Sequence, residues 1–291
     1  MKAPWIYTAS YRFRCLIPKA YYDSSASLFT CSAQTRLVAP GIDSEFMALR
    51  VVQMNFKARD EQALGNFWAR ALDWDISSEA PGVMNLEPPN FSWPDPSALS
   101  IDVVRVPDPH NVRYRAHLDL ATSSMEHQAK LIEHLLSLGA THADIGQGDV
   151  PWAVLSDPEG NLFCVLEPRE IYADTGPIAA VVVHCEDPQA LGDFWDQATD
   201  WNLIESEGHF VSLRSAAGVG PYLEFLRANT PIRSTGRMHL DLKPYAGDDQ
   251  AAEVSRLLSL GAREIDLGQG EVSWVCLSDP EGNDFCVLGA G

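Results

Sequence analysis

A dozen residues that occur twice constrain this chain more than any other feature. LSDPEGNLFCVL occupies residues 155–166, and LSDPEGNDFCVL occupies residues 277–288. The likeness extends further, because ALGNFWARALDW (63–74) matches ALGDFWDQATDW (190–201). A unit of about 120 residues is too long for a solenoid repeat and has the size of a domain. We therefore predict a tandem duplication, with copy one at residues 47–170 and copy two at residues 176–291.

Each copy begins with a strand and a helix. The strands are VVQMNF (51–56) and AAVVVHC (179–185), and the helices that follow begin at Asp60 and Asp187, both favourable N-cap residues. Short strands come next, and together these elements predict a βαβββ module at the start of each copy.

The same order then restarts within the copy. RAHLDL (115–120) is predicted as a strand, and Ser123 with Glu126 forms a capping box for a helix that ends at Gly139. The DPEGN sequence has turn composition, so each repeated dozen is predicted to be a β-hairpin. Each copy therefore consists of two βαβββ modules, which makes the fold class α+β.

The composition excludes several kinds of partner. A formal charge of −19 argues against nucleic acid, because phosphates require neutralisation by Lys and Arg. No apolar run approaches the ~18 residues of a membrane span. The six cysteines form no CxxC pair, and Cys164 and Cys286 fit buried strand thiols in a reducing cytoplasm. Residues 1–46 have no counterpart in copy two and no secretory signal, so we predict a poorly ordered extension, with Met47 as a candidate natural start.

The order of modules, FW in the first helix, a His that opens the second module and a DPEGN hairpin at the end together resemble the vicinal oxygen chelate superfamily. This superfamily includes glyoxalase I, extradiol dioxygenases and bleomycin-resistance proteins, and the chain is most similar to the bacterial glyoxalase-like domain group. The resemblance covers residues 47–291. It implies that each copy forms a curled mixed sheet with helices on the convex face and a site on the concave face.

The resemblance also implies a set of metal ligands, one from each of four strands. The positions that match are Gln53, Asp102, His117 and Cys164 in copy one, and Ala180, Glu224, His239 and Cys286 in copy two. Cysteine stands where the metal enzymes have glutamate, and Ala180 has no ligand atom, so copy one is the better candidate. Strand alternation places Arg115, His117 and Asp119 on one face, which we expect to be concave.

The nature of the centre stays open at this point. One divalent ion, such as zinc, iron, nickel or manganese, is one interpretation, and a thiolate ligand favours zinc or a softer metal. The alternative is no metal, with Cys164 packed as a small hydrophobe and His117 hydrogen-bonded in a pocket. Trp152 and Trp274 are expected either to stack on a flat ligand in the concavity or to pack in the core.

Three functions compete. The first is a divergent metal-dependent lyase, isomerase or dioxygenase that acts on a small oxygenated substrate. The second is a metal-free protein that binds a small molecule of the antibiotic type. The third is structural, with two fused copies that mimic the dimer of single-domain relatives and copy two supporting copy one. The chain is then a monomer of this kind or a homodimer, and whether it is an enzyme is not decided by the sequence.

Overall fold

The computed structural model describes residues 48–107, 115–228, 236–268 and 270–289. The predicted extension, residues 1–46, lies outside this part of the chain. The elements of copy one are β1 Arg50–Ala58, α1 Glu61–Leu72, β2 Asp75–Ala80, β3 Val83–Glu87, β4 Ser100–Arg105, β5 Ala116–Leu120, α2 Met125–Ser137, β6 Thr141–His142, β7 Ala153–Ser156 and β8 Leu162–Val165. Those of copy two are β9 Ile178–Cys185, α3 Pro188–Ala198, β10 Trp201–Glu207, β11 Phe210–Ser215, β12 Tyr222–Arg227, β13 Met238–Lys243, α4 Gln250–Leu260, β14 Arg263–Glu264, β15 Val275–Ser278 and β16 Asp284–Val287.

The strands form two eight-stranded mixed sheets. Sheet I has the order β14-β15-β16-β13-β1-β4-β3-β2, and sheet II has the order β10-β11-β12-β9-β5-β8-β7-β6. The predicted α+β class and the four βαβββ modules are confirmed. None of the helices among the described residues is long and apolar enough to cross a membrane.

The composition of the sheets corrects one expectation. We expected the two modules of one copy to share a sheet, but each sheet combines the first module of one copy with the second module of the other. In sheet I, β1 pairs with β13 in antiparallel register, and in sheet II, β5 pairs with β9 in the same way. The physical reason is that β5 and β13 have nearly the same sequence, so either can extend the edge of β1 or β9.

The predicted helix caps are largely confirmed. The Asp60 carboxylate accepts from the backbone N–H groups of Gln62 and Ala63, and Asp187 caps α3 in the same manner. The cap of α2 differs from the prediction, because Ser124 rather than Ser123 accepts from the N–H of His127. Glu126 pairs with Lys130 one turn later and takes no part in a capping box.

One apolar core joins the two sheets. It includes Leu64, Phe67 and Trp68 from α1 together with Leu118 and Phe163 from sheet II. The rings of Trp68 and Phe163 meet edge to face with centroids 5.1 Å apart, a favoured aromatic geometry. A helix of the first module therefore contacts a strand of the second module of the same copy, although these modules lie in different sheets.

The repeated hairpins connect the modules within a copy. In β7–β8, Asp157 accepts from the N–H groups of Glu159 and Asn161 at 2.9 Å and from the indole of Trp68 at 3.2 Å. Glu159 accepts from the first N–H groups near α1, including that of Asp60 at 2.9 Å. Asp279 and Glu281 repeat these contacts with Trp195 and Asp187. The carboxylates of the hairpin are therefore structural, and they lie in the turns that the DPEGN sequence predicted.

Candidate metal centres

The concave face of each sheet carries a cluster of polar side chains at its centre. Leu118 and Leu120 of β5 are buried in the core, so strand alternation directs His117 and Asp119 to the opposite, concave face. The same alternation in β13 directs His239 and Asp241 to the concave face of sheet I. In each sheet the next parallel strand adds a cysteine. We call His239, Asp241 and Cys286 centre I, and His117, Asp119 and Cys164 centre II.

The ligand atoms of centre I lie close together. Nε2 of His239 is 3.4 Å from Oδ1 of Asp241 and 3.7 Å from Sγ of Cys286. Every pair of ligand atoms in the centre is within 4.8 Å. In a tetrahedral zinc site, ordinary bond lengths give edges of about 3.4 Å between N and O ligands and about 3.6 Å between N and S ligands. The spacing in centre I therefore fits a single ion between the three side chains.

Two amides orient the aspartate of centre I. Nδ2 of Asn55 donates to Oδ2 of Asp241 at 2.8 Å, and Nε2 of Gln53 donates to the same oxygen at 3.4 Å. Oδ1 is buried and accepts no hydrogen bond from the described residues. One carboxylate oxygen is thus held by hydrogen bonds while the other faces the histidine and the thiol, as expected of an oriented metal ligand.

Centre II has the same three residue types in a more apolar setting. Nε2 of His117 is 3.2 Å from Oδ1 of Asp119, and Cys164 completes the cluster. Asp119 is 1% exposed, and neither of its oxygens accepts a hydrogen bond from the described residues. A buried carboxylate of this kind is costly unless a positive charge offsets it. The environment of Asp119 therefore fits a bound cation.

A second histidine lies beside centre II. The ring of His184 stacks on that of His117 with centroids 5.3 Å apart. Burial, and then the neighbouring His117, lower the pKa of His184 to about 3. His184 is therefore neutral at physiological pH and adds an imidazole, but no charge, to the concave face.

The structure regroups the predicted ligand positions. Gln53 and Asp102 of copy one lie in sheet I with His239 and Cys286 of copy two. Ala180 and Glu224 of copy two lie in sheet II with His117 and Cys164 of copy one. The expected set of four strands from one copy is therefore wrong: the three clustered side chains of each centre come from one copy, and the two neighbouring strands come from the other. Sheet I is now the sheet in which all four predicted positions carry a side chain that can bind a metal. These side chains are Gln53, Asp102, His239 and Cys286.

A further carboxylate lies near each centre, separated from the histidine of that centre by one intervening strand. Asp102 is in register with Asn55, which is in register with His239. Burial, opposed by the Asn85 hydrogen bond and assisted by the charge of Asp241, raises the pKa of Asp102 to about 6. The corresponding carboxylate in sheet II is Glu224, which accepts from the Tyr172 hydroxyl at 2.9 Å. Neither carboxylate belongs to the metal-type clusters themselves.

A large cavity opens on the concave face of sheet II. Its volume is about 1220 Å³, and Glu224 lies in its wall. The wall also contains the apolar side chains Tyr172, Ile204 and Phe210 and the charged side chains Asp149, Glu167, Arg169, Glu170 and Glu205. Arg169, the one basic residue of this described wall, pairs with Glu167 at 2.7 Å. The cavity thus combines apolar surface with an excess of negative charge.

The two tryptophans differ in their surroundings. Trp152 is 7% exposed and packs in an apolar cluster on the concave side of sheet II, with Arg169 above its ring. Trp274 is 39% exposed at the corresponding place in sheet I. Whether either ring stacks on a ligand stays a prediction.

Sequence reasoning missed Asp119 and Asp241 as members of the centres. The signal was available, because Asp119 lies two residues after His117 and strand alternation places both on one face. It also missed Tyr172, which reaches Glu224 from a short 3-10 helix, Glu170–Tyr172, in the segment between the copies. That segment has no repeat counterpart, so no pattern in the sequence singled it out.

Comparison with known proteins supports the fold. Residues 53–166 and 180–288 match the glyoxalase-like domain family. A crystal structure of glyoxalase I from Zea mays aligns over 84% of this chain and 93% of its own, with 14% identity and a TM-score of 0.56. A candidate dioxygenase from Bacillus subtilis aligns over 84% of this chain and 86% of its own, with 15% identity and a TM-score of 0.56. At these identities the likeness concerns the fold alone. None of the curated proteins matches the sequence.

Proposed function

This chain belongs to the glyoxalase-like domain family, and from that premise we propose that it is a metal-dependent enzyme that acts on a small oxygenated substrate. The observation that carries the proposal is the meeting of His, Asp and Cys ligand atoms within 4.8 Å at equivalent places in both sheets. We propose that the reaction is that of a lyase, an isomerase or a dioxygenase. These are the activities expected from the chain's resemblance to the vicinal oxygen chelate superfamily.

The three side chains of each centre would hold one divalent ion. Three protein ligands leave a coordination position for a substrate oxygen, as in catalytic rather than structural zinc sites. When bound, the ion supplies Lewis acidity that polarises a substrate oxygen. The mixture of one imidazole, one carboxylate and one thiolate favours zinc over harder ions such as magnesium.

The neighbouring carboxylates, Asp102 and Glu224, would act as general acids or bases. In the metal-free protein the pKa of Asp102 is about 6, so both protonation states exist near neutral pH, which suits a general acid or base. In sheet II, the hydrogen bond from Tyr172 fixes one oxygen of Glu224, and the carboxylate lines the cavity. We propose that these residues exchange a proton with substrate.

The cavity that Glu224 lines on the concave face of sheet II is the proposed substrate site, with Glu224 across strand β9 from His117. Its volume exceeds the ~300–1,000 Å³ of typical small-molecule pockets, so a substrate with an apolar body fits with space to spare. The acidic wall disfavours anionic substrates. Because each sheet already combines modules of both copies, we propose that one chain provides both centres without a second chain, as a monomer that replaces the dimer of single-domain relatives.

Metal content tests the proposal. Protein purified without a metal-affinity tag, after loading with zinc, is analysed by inductively coupled plasma mass spectrometry. We expect about two ions per chain, about one in His117→Ala and in His239→Ala, and none in the double variant. His142, exposed on the edge strand β6, provides the control, and His142→Ala retains both ions.

The outcome also decides between functions. If the ions are bound and lost as stated, a screen of dicarbonyl and catechol substrates follows, with Glu224→Gln as the inactive control. If the wild type binds no ion after loading, the enzyme proposal fails. The metal-free binding function then remains, and it is tested by ligands that raise the melting temperature by binding the folded state.

A further inference from the structure

We infer that Cys276 and Cys286 form a reversible disulfide that removes the thiolate ligand from centre I and leaves centre II intact. The consequence for the metal rests on the proposed function, whereas the disulfide itself does not. Cys276 is buried, and it belongs to neither of the metal-type clusters found among the described residues.

The two cysteines are directly opposite each other. Cys276 of β15 and Cys286 of β16 are paired in antiparallel register, and their Sγ atoms are 3.6 Å apart. Opposed residues in antiparallel strands have Cα atoms about 4.5 or about 5.5 Å apart. Both values lie within the range of about 4.4–6.8 Å found in disulfides. Side-chain rotation is therefore enough to bring the sulfur atoms into bonding distance.

The same sulfur atom cannot serve both purposes. Sγ of Cys286 lies 3.7 Å from Nε2 of His239, in the position of a metal ligand. A metal binds the thiolate, and a sulfur atom in a disulfide carries no such charge. Formation of the disulfide would thus leave centre I with His239 and Asp241 only.

The other sheet lacks this pair. The residue opposite Cys164 in β7–β8 is Val154, so Cys164 has no cross-strand thiol. The two centres share their three ligand types but differ in the residue opposite the cysteine, which is Cys276 in sheet I and Val154 in sheet II. Oxidation is therefore expected to affect centre I and not centre II. Val154 also shows that valine is tolerated opposite the cysteine of a centre, at the position that corresponds to Cys276.

The reaction balances with a hydroperoxide as oxidant. One cysteine sulfur attacks the peroxide, the O–O bond breaks, and a sulfenic acid and an alcohol or water form. The second thiol attacks the sulfenic sulfur, the S–S bond forms, and water leaves. The peroxide gains the two electrons that the thiols lose. A dithiol reverses the process by thiol–disulfide exchange.

Access to the pair is through the concave side. Both cysteines are 4% exposed, but Trp274, two residues before Cys276 on the same face of the chain, is 39% exposed. Hydrogen peroxide is small enough to reach a site behind such a side chain.

The test uses the zinc-loaded full chain treated with hydrogen peroxide. After alkylation of free thiols and proteolysis, mass spectrometry is used to find the peptide linked through Cys276 and Cys286. Zinc that remains bound is measured after gel filtration. We expect the linked peptide, a fall from about two to about one zinc per chain, and recovery of the second ion after reduction with dithiothreitol.

The matched control is Cys276→Val, which reproduces the Val154 environment of the other sheet. Circular dichroism confirms that it folds, and we expect it to keep both ions under the same treatment. Absence of the linked peptide from oxidised, folded wild type overturns the inference, as does equal zinc loss in Cys276→Val. If the linked peptide forms in a protein that never binds zinc, the proposed function fails but the disulfide stands.

Discussion

Nδ2 of Asn55 donates a 2.8 Å hydrogen bond to Oδ2 of Asp241, although 186 residues separate them along the chain. Asn55 belongs to copy one and Asp241 to copy two, so the bond exists only because β1 and β13 are neighbours in sheet I. The second copy of the repeat thus supplies the ligands of centre I, and the first copy supplies the residues that orient them.

Replacement of Asn55 tests this orientation. We expect Asn55→Leu to weaken metal binding at centre I by about 10–100-fold, because Asp241 loses its shortest hydrogen bond. Centre II is unaffected, since Val182 occupies the corresponding place there, in register with His117. Competition with a chromophoric chelator measures both affinities. Equal weakening of both centres, or of neither, contradicts this account.

The hairpin carboxylates support a prediction about stability. Asp157 is 3% exposed and accepts from two backbone N–H groups, the Asn161 side chain and the Trp68 indole. Asp157→Ala leaves these donors without their acceptor, and we expect a loss of about 2–4 kcal/mol in the free energy of unfolding.

Urea denaturation measures the loss. Asp279→Ala, at the equivalent position of the second hairpin, gives an independent repeat and is expected to show a similar loss, because Asp279 makes the corresponding contacts. A loss below about 1 kcal/mol in both variants is inconsistent with a structural role for these carboxylates.

Asp102 makes the free energy of unfolding of the metal-free protein depend on pH. Its pKa is about 6 when folded and near 3.8 when unfolded, so between these values the folded state binds more protons. The free energy of unfolding therefore decreases as pH rises from about 4 to about 6, by up to about 3 kcal/mol from this group. Asp102→Asn removes this contribution.

Comparison of wild type with Asp102→Asn gives the contribution of the Asp102 carboxyl group to stability at each pH. We expect Asp102→Asn and wild type to have similar stability near pH 4, and the variant to be the more stable above pH 6. Urea denaturation of both metal-free proteins at each pH measures the difference. A difference that does not change with pH rules out the raised pKa as its source.

Pairing of modules across copies predicts what happens when the copies are disconnected. A protease site inserted beside Asp174, whose side chain is 65% exposed, allows the folded chain to be cut between the copies. We expect the two fragments to remain together in gel filtration, because β1–β13 and β5–β9 and a common core still connect them. Separation into two folded monomers contradicts the sheet order described here.

Much of the fold could be predicted from the sequence. The repeat gave the four modules, Asp60 and Asp187 marked the helix starts, and DPEGN located the hairpins. The sheet partners could not be predicted, because RAHLDL and RMHLDL offer β1 and β9 almost the same edge. Selecting between them depends on how the segment between the copies crosses the molecule, which no local pattern encodes.

The site was predicted in part. His117, Cys164, His239 and Cys286 were identified as candidate ligand positions, and the structure places them in the two clusters. The grouping failed because it assumed that a copy and a sheet coincide. The capping error at Ser123 has a simpler cause, since Ser123 and Ser124 are both suitable caps and only the helix geometry distinguishes them.

The central claim is that each centre holds a metal ion between one histidine, one aspartate and one cysteine. Diffraction from zinc-loaded crystals on both sides of the zinc absorption edge tests it most directly. The account predicts two anomalous peaks, one among His239, Asp241 and Cys286 and one among His117, Asp119 and Cys164. Well-ordered crystals of loaded protein with no peak at either cluster would contradict it.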